Sequence, residues 1–301
     1  MRNISFLSLL TLITLTFIWG SSFILMKIGL RASDGSPVLS AIQVACLRMI
    51  IAGVALSPFA LPGYKKISRK DWPWLMVVGL CGSGIPAFLF AISQQYIDSG
   101  LAGILNALTP VFTLLIGLAF FDKSTHRKQV IGMIIGFIGA AGIIAMKGST
   151  FQNIGYALLV IGATILYGIS VNTVGSKLRH LPAPVISSIS IAIAAIPCLL
   201  VFITTPYGII TEHPEGWKSF GAIATLAILG TGFANILFFR MTQKSGAILA
   251  SSVTYLIPLV AVGWGAYLGE TIGWSQIAFA GVLLFGVYLT HQSSSELKIK
   301  N

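Results

Sequence analysis

Residues 102–121 form a stretch of twenty residues without one formally charged side chain. Coiled into a helix, a run of about 20 residues is about 30 Å long, which matches the hydrocarbon core of a bilayer. A chain dissolved in water could not leave such a segment without groups for the solvent to hydrate unless a large fold buried it on every side. Runs of this length recur along the chain, at 4–29, 38–61, 73–95, 100–121, 128–146, 153–175, 184–205, 217–239, 246–268 and 274–291. Only 9% of the residues are charged and the mean hydropathy is +0.90, against about 25% charged in soluble domains. The expected fold is therefore an all-α integral membrane protein with ten transmembrane helices. The longest connectors, 62–72 and 206–216, are too short to fold alone. The apolar run behind Arg2 is too long for a secretory signal and lacks a small-residue cleavage site, so it is read as the first span.

Charge placement sets an expected orientation. The net charge of +11 would suit a nucleic-acid partner if it formed one basic face, but the basic residues sit in short clusters between apolar runs, and no nucleic acid is expected. Arg2, Lys65, Lys66, Arg69, Lys70, Lys123, Arg127, Lys128, Lys177, Arg179, Arg240, Lys244, Lys298 and Lys300 fall on one side of a ten-span layout; only Arg31, Lys147 and Lys218 fall on the other. Lys27 and Arg48 lie within spans. Because positively charged loops stay in the cytoplasm, both termini are expected there, in a bacterial inner membrane. Cys46, Cys81 and Cys198 all lie in apolar runs with neither disulfide nor metal-ligand spacing, and read as core-filling residues.

The chain also repeats itself. An offset of 148 residues carries Trp19-Gly20 onto Tyr167-Gly168, Gly82-Ser83-Gly84 onto Gly230-Thr231-Gly232, Gln95 onto Gln243, Pro110 onto Pro258 and Asp122 onto Glu270, and an offset of 147 carries Pro37 onto Pro184. So many matches along one diagonal indicate duplication, with units at 1–147 and 153–291 and a tail at 292–301. Five spans is an odd number, so the second unit enters the membrane the other way up. Such inverted repeats are common in secondary transporters, whose substrate sites lie near mid-membrane between the halves.

The pattern Trp19-Gly20-Ser21-Ser22-Phe23, Arg48 in the second span, Pro110 in the fourth, and Pro258 followed by Gly269-Glu270 resembles the EamA family of the drug/metabolite transporter superfamily, over essentially the whole chain. Asp122-Lys123 departs from the Gly-Glu usual there. The resemblance implies an exporter or uptake carrier for amino acids, drugs or other small metabolites, working by alternating access, with no catalytic residue, cofactor or metal.

Candidate substrate contacts follow from polar groups within the spans. A proline inside a helix cannot bond the carbonyl four residues earlier. For Pro110 and Pro258 those carbonyls belong to Asn106 and Thr254, an equivalent pair. Pro86 and Pro197 are further candidate kinks. Arg48 lies about ten residues into its span, where a charge costs about 2.5–3.5 kcal/mol unless it faces protein or water. It either attracts an anionic group of the substrate or ties helix ends through backbone carbonyls. Lys27, nearer a span end, is expected to snorkel to the interface. Trp19 and Tyr167 would form matching walls of a cavity or simply pack, and Ser22, Asn172 and Asn235 complete the candidate set.

All eight acids fall in loops or at span ends. With no mid-membrane carboxylate to relay protons, facilitated diffusion or exchange is expected, or else coupling through a group such as Glu270. Sugar-phosphate or nucleotide-sugar substrates would call for more intramembrane cations than Lys27 and Arg48, while a pore for neutral solutes is the remaining alternative. A membrane enzyme would need clustered carboxylates, a zinc pair or a nucleophile motif, and none is present. Gly132, Gly136 and Ala140 make a small-residue stripe suited either to packing within the chain or to a homodimer.

Overall fold

A computed structural model describes residues 6–122, 127–146, 151–206, 208–270 and 273–297. Arg2, Lys123, Lys147, Lys298 and Lys300 lie outside the described residues. Regular structure within them is helical, in rods we number α1 (Phe6–Leu30), α2 (Ala41–Gly63), α3 (Trp72–Ser93), α4 (Ser99–Phe120), α5 (Arg127–Met146), α6 (Phe151–Ser176), α7 (Ala183–Phe202), α8 (Gly216–Ser245), α9 (247–267) and α10 (Trp274–Leu297). Seven segments are long and apolar enough to cross a bilayer, and Val253–Tyr267 and Trp274–Leu289 are shorter apolar helices.

The starts of the rods have local causes. At α2, Ser40 and Gln43 form a reciprocal capping box: the Ser40 hydroxyl accepts from the Gln43 N–H (3.2 Å) and the Gln43 side chain accepts from the Ser40 N–H (2.8 Å). The same Gln43 donates to the Pro206 carbonyl (2.9 Å), tying α2 to the connector after α7. Pro residues open α7, where a missing N–H costs nothing, and the second halves of α3, α4 and α9.

Three rods change helical type midway. The glycine-bearing turns Leu80–Gly84 in α3 and Leu226–Phe233 in α8 are π-helical. In α4 the helix pauses at Ala107 and Leu108 before Pro110. In α9 a 3₁₀ turn, Ser252–Tyr255, precedes Pro258. Pro86 follows the α3 π turn, whereas α7 runs through Pro197 as one α-helix.

Packing obeys a two-fold rule. Helices α5 and α10 pack on each other, as do α2 and α7, and α4 and α9. Helix α4 packs on α6 and its counterpart α9 on α1, while α3 packs on α6 and its counterpart α8 on α1. Each rod thus meets in one half what its equivalent meets in the other. The Gly132–Gly136–Ala140 stripe is buried and faces α10 of the same chain: a Cβ added at Gly286 would lie 2.3 Å from the Gly136 nitrogen. Cys46 and Cys198 lie beside each other across the α2–α7 contact as free thiols, a proximity no spacing in the sequence announces.

The outside of the bundle is apolar. Phe17, Val54, Ile134, Leu200, Leu259 and Phe285 are among many large hydrophobic side chains facing outward, an arrangement that suits lipid and not water. Tyr64 and Trp74 stand exposed near one end, and Tyr96, Trp217, Tyr267 and Trp274 near the other, as aromatic residues do at membrane interfaces.

Candidate functional site

A cavity of about 90 Å³ lies between the halves, with room for several waters. The helix interruptions shape it, because the π turns of α3 and α8 and the breaks of α4 and α9 all border it through Gly82 and Ser83, Gly230, Asn106 and Thr109, and Thr254.

Seven of the eight candidate contacts expected from sequence reach this cavity: Trp19, Ser22, Arg48, Asn106, Tyr167, Asn235 and Thr254. Asn172 does not. Its amide is fully buried and donates to the carbonyls of Thr113 and Gly168, both at 2.8 Å, so it binds α6 to α4.

Two aromatic pairs wall the cavity. Trp19 meets Phe238 edge to face (centroids 4.9 Å apart), and Tyr167 stacks with Phe90 (6.1 Å). The offset of 148 carries Phe90 onto Phe238 as it carries Trp19 onto Tyr167, so the pairs are one contact used twice. Their polar ends differ. The Trp19 indole N–H donates to the Gly230 carbonyl (2.9 Å), fixing α1 to the α8 π turn, whereas the Tyr167 hydroxyl lies beside the Arg48 guanidinium.

Arg48 is buried, and its Nε donates to the Thr231 hydroxyl at 2.7 Å. It bonds a neutral side chain of the second half and lies beside another, Tyr167, rather than reaching the backbone carbonyls of one reading of the sequence. Among the described residues no carboxylate pairs with it. Ser83, the repeat equivalent of Thr231, instead accepts from the Asn235 amide (3.1 Å). Neither Ser83 nor Thr231 was a candidate from sequence; the repeated Gly-Ser/Thr-Gly motif was the available signal.

The proline breaks are also unequal. The Asn106 carbonyl, which Pro110 cannot bond, accepts from the Thr109 hydroxyl at 2.7 Å. Thr109 corresponds to Ile257, whose side chain has no donor to offer the Thr254 carbonyl.

At one end of the cavity's helices Lys27 does not snorkel. Its ammonium donates to Glu270, whose side chain is only 4% exposed and which also accepts from the N–H groups of Ser99 and Gly100, both at 3.1 Å. Burial alone would raise the Glu270 pKa, but Lys27 and these two N–H groups more than offset it and hold the carboxyl below its ordinary value. At the opposite end Asp71 meets His180 (3.1 Å), joining the α2–α3 connector to the α6–α7 connector.

The family model for EamA-like transporters matches the chain twice, at residues 6–145 and 154–291. An uncharacterized transporter of Archaeoglobus fulgidus is 28% identical over 92% of this chain and 95% of its own. The inner membrane transporter YedA of Escherichia coli is 28% identical over 92% of this chain and 88% of its own. A Salmonella typhimurium protein named "Probable amino-acid metabolite efflux pump" is 25% identical over 96% and 94%. A crystal structure at 18% identity superposes with a TM-score of 0.64 over 96% of this chain and 97% of that one, which shows the fold alone.

Proposed function

Since the chain belongs to the EamA-like transporter family, whose members move solutes and are not enzymes, we propose that it is a secondary transporter exporting small metabolites such as amino acids or drugs across a bacterial inner membrane by alternating access. In this reading all ten rods cross the membrane as two inverted repeats, 1–147 and 153–291, the tail 292–301 is cytoplasmic, and both termini lie inside, in keeping with the distribution of Lys and Arg. The supporting observation is the cavity between the two halves with Arg48 buried on its wall and uncompensated by any carboxylate among the described residues. A resident cation in such surroundings is costly, and an anionic group of a passing solute would relieve that cost.

Two features favour rocking about this site over a fixed pore. The cavity is bordered by broken helices in equivalent positions of the two halves, the usual construction of an alternating-access site. The two ends of the surrounding helices are tied by different bonds, Lys27–Glu270 at the proposed outer end and Asp71–His180 at the proposed inner one.

Overexpressing cells challenged with toxic amino-acid analogues and drugs should gain resistance to at least one compound, which proteoliposomes carrying the purified protein should then transport saturably, with flux accelerated by substrate on the far side. Linear, unsaturable flux without exchange would replace the carrier with a pore.

A further inference from the structure

We infer that the cavity is matched to a compact acid with a single carboxylate and no ammonium group, held by Arg48, Tyr167 and Ser170; this narrows the carrier function proposed above and rests on it. Ser170 was not among the residues the sequence singled out. Its side chain is 1% exposed on the cavity wall, and its hydroxyl has no hydrogen-bond partner among the described residues. It lies three residues after Tyr167, hence on the same face of α6. Space for that hydroxyl is kept by Gly82, where an added Cβ would lie 2.3 Å from the Ser170 Oγ. Its repeat counterpart Ser22 is satisfied differently, donating to the Ile18 carbonyl at 2.9 Å. Ser170 is therefore the half of the pair with a donor to spare.

Arg48 has donors to spare as well. A guanidinium carries five N–H groups in a planar fork suited to a carboxylate, and the contact to Thr231 engages only the Nε side. Tyr167 sits beside that fork. Together the three side chains present a guanidinium and two hydroxyls to one oxygen-rich anionic group, and one positive charge balances one carboxylate.

The rest of the wall offers no carboxylate to a second, positive charge: no acid among the described residues lines the cavity. The Asn106 carbonyl is already taken by Thr109, and the Asn235 amide by Ser83. Ring faces can attract an ammonium, but Trp19 and Phe238 are packed on each other, as are Tyr167 and Phe90. Burying an ammonium there, in the same small cavity as Arg48, would cost free energy that an uncharged body does not.

The test compares two molecules with one carbon skeleton, 4-methyl-2-oxopentanoate and leucine, on the full-length protein in nanodiscs by equilibrium binding and in proteoliposomes by uptake. We expect the oxo acid to bind at least about tenfold more tightly, the 1.4 kcal/mol of one unfavourable interaction. Ser170→Ala should weaken its binding about three- to tenfold with the thermal transition unchanged, and Arg48→Gln should abolish it. Should Arg48→Gln fail to fold, Ser170→Ala alone decides the matter. Leucine binding as tightly as the oxo acid, or Ser170→Ala leaving the oxo acid's affinity unchanged, overturns the inference while sparing the carrier function; the first result would give the ammonium to the Thr254 carbonyl. Absence of saturable uptake of either compound, or of any in the toxic-analogue screen, overturns both.

Discussion

The Lys27 ammonium is bonded to the Glu270 carboxylate, so a residue of α1 in the first half and one beyond α9 in the second are joined at one end of the molecule by an ion pair that is almost dry on the acid's side. The N–H groups of Ser99 and Gly100 at the start of α4 join the same carboxylate. Symmetry does not repeat this latch: Lys27 corresponds to Gly175 and Glu270 to Asp122. The two ends are thus tied by different chemistry.

Glu270→Gln keeps the shape of the acceptor and removes its charge, leaving the Lys27 ammonium only its longer ion pair with Asp98 (4.0 Å). Because Lys27 is 27% exposed, water recovers part of the loss, and we expect about 1–3 kcal/mol, below the 3–5 kcal/mol of a fully buried broken pair. In a cysteine-free background, Ser22→Cys should then react faster with an impermeant thiol reagent applied from outside. Unchanged labelling would show that the latch does not hold that end closed.

The pH dependence has a definite sign. The folded-state pKa of Glu270 lies below its unfolded value, so its contribution to stability is complete above the ordinary glutamate pKa of about 4.3 and is lost as pH falls through the depressed value. Thermal stability in detergent should not change between about pH 6 and 8 on account of this group, and Glu270→Gln should flatten part of the decline below about pH 4. Carboxyl ionisation through the neutral range also means that, while latched, Glu270 does not exchange protons with either compartment; an infrared carboxyl band for Glu270 appearing between pH 6 and 7 would contradict this.

Helices α5 and α10 touch backbone to backbone. Gly286→Ala would place a methyl 2.3 Å from the Gly136 nitrogen and 2.6 Å from the Gly132 oxygen, and neither atom can swing away as a side chain could. Overpacking of this kind costs about 1–3 kcal/mol, read as a lowered melting temperature. Gly281→Ala, on the same helix with nothing within 4 Å of the new methyl, should be neutral or stabilising by up to about 1 kcal/mol through helix propensity.

Asn172 and Asn235 separate structure from substrate contact. Asn172→Ala removes the bond that ties α6 to the Thr113 carbonyl of α4 and should cost about 1 kcal/mol of stability with ligand affinity intact. Asn235→Ala, on the cavity wall, should alter affinity more than melting temperature. Equal effects of both on affinity would mean that the α4–α6 tie also sets the shape of the cavity.

Much of this architecture was legible in the sequence because bilayer thickness fixes helix length. The expected span 100–121 meets a rod at Ser99–Phe120, and 184–205 one at Ala183–Phe202. Helix α8 overran its expected end at 239 to Ser245 because Arg240 and Lys244 are good helix formers that apolar run length cannot count. The cavity residues on α1, α2 and α6 could be anticipated because polar or aromatic groups inside an apolar run are conspicuous. What stayed hidden depends on meetings between distant segments. A serine such as Ser170 looks like any other small residue until Gly82 is seen to clear its space, and Lys27 looks like a snorkelling lysine until Glu270, more than two hundred residues away, arrives beside it. The π turns were also invisible as such, since one extra residue per turn leaves hydropathy unchanged.

The unequal furnishing of two equal halves has one more consequence. A scaffold with two-fold symmetry would by itself accept a ligand in either of two opposite poses and could not tell its ends apart. Arg48 has only Ala195 as its counterpart, so a ligand anchored at its guanidinium acquires a head and a tail, and the same end of the molecule points to the same half of the protein on every cycle, whichever face of the membrane the door opens toward.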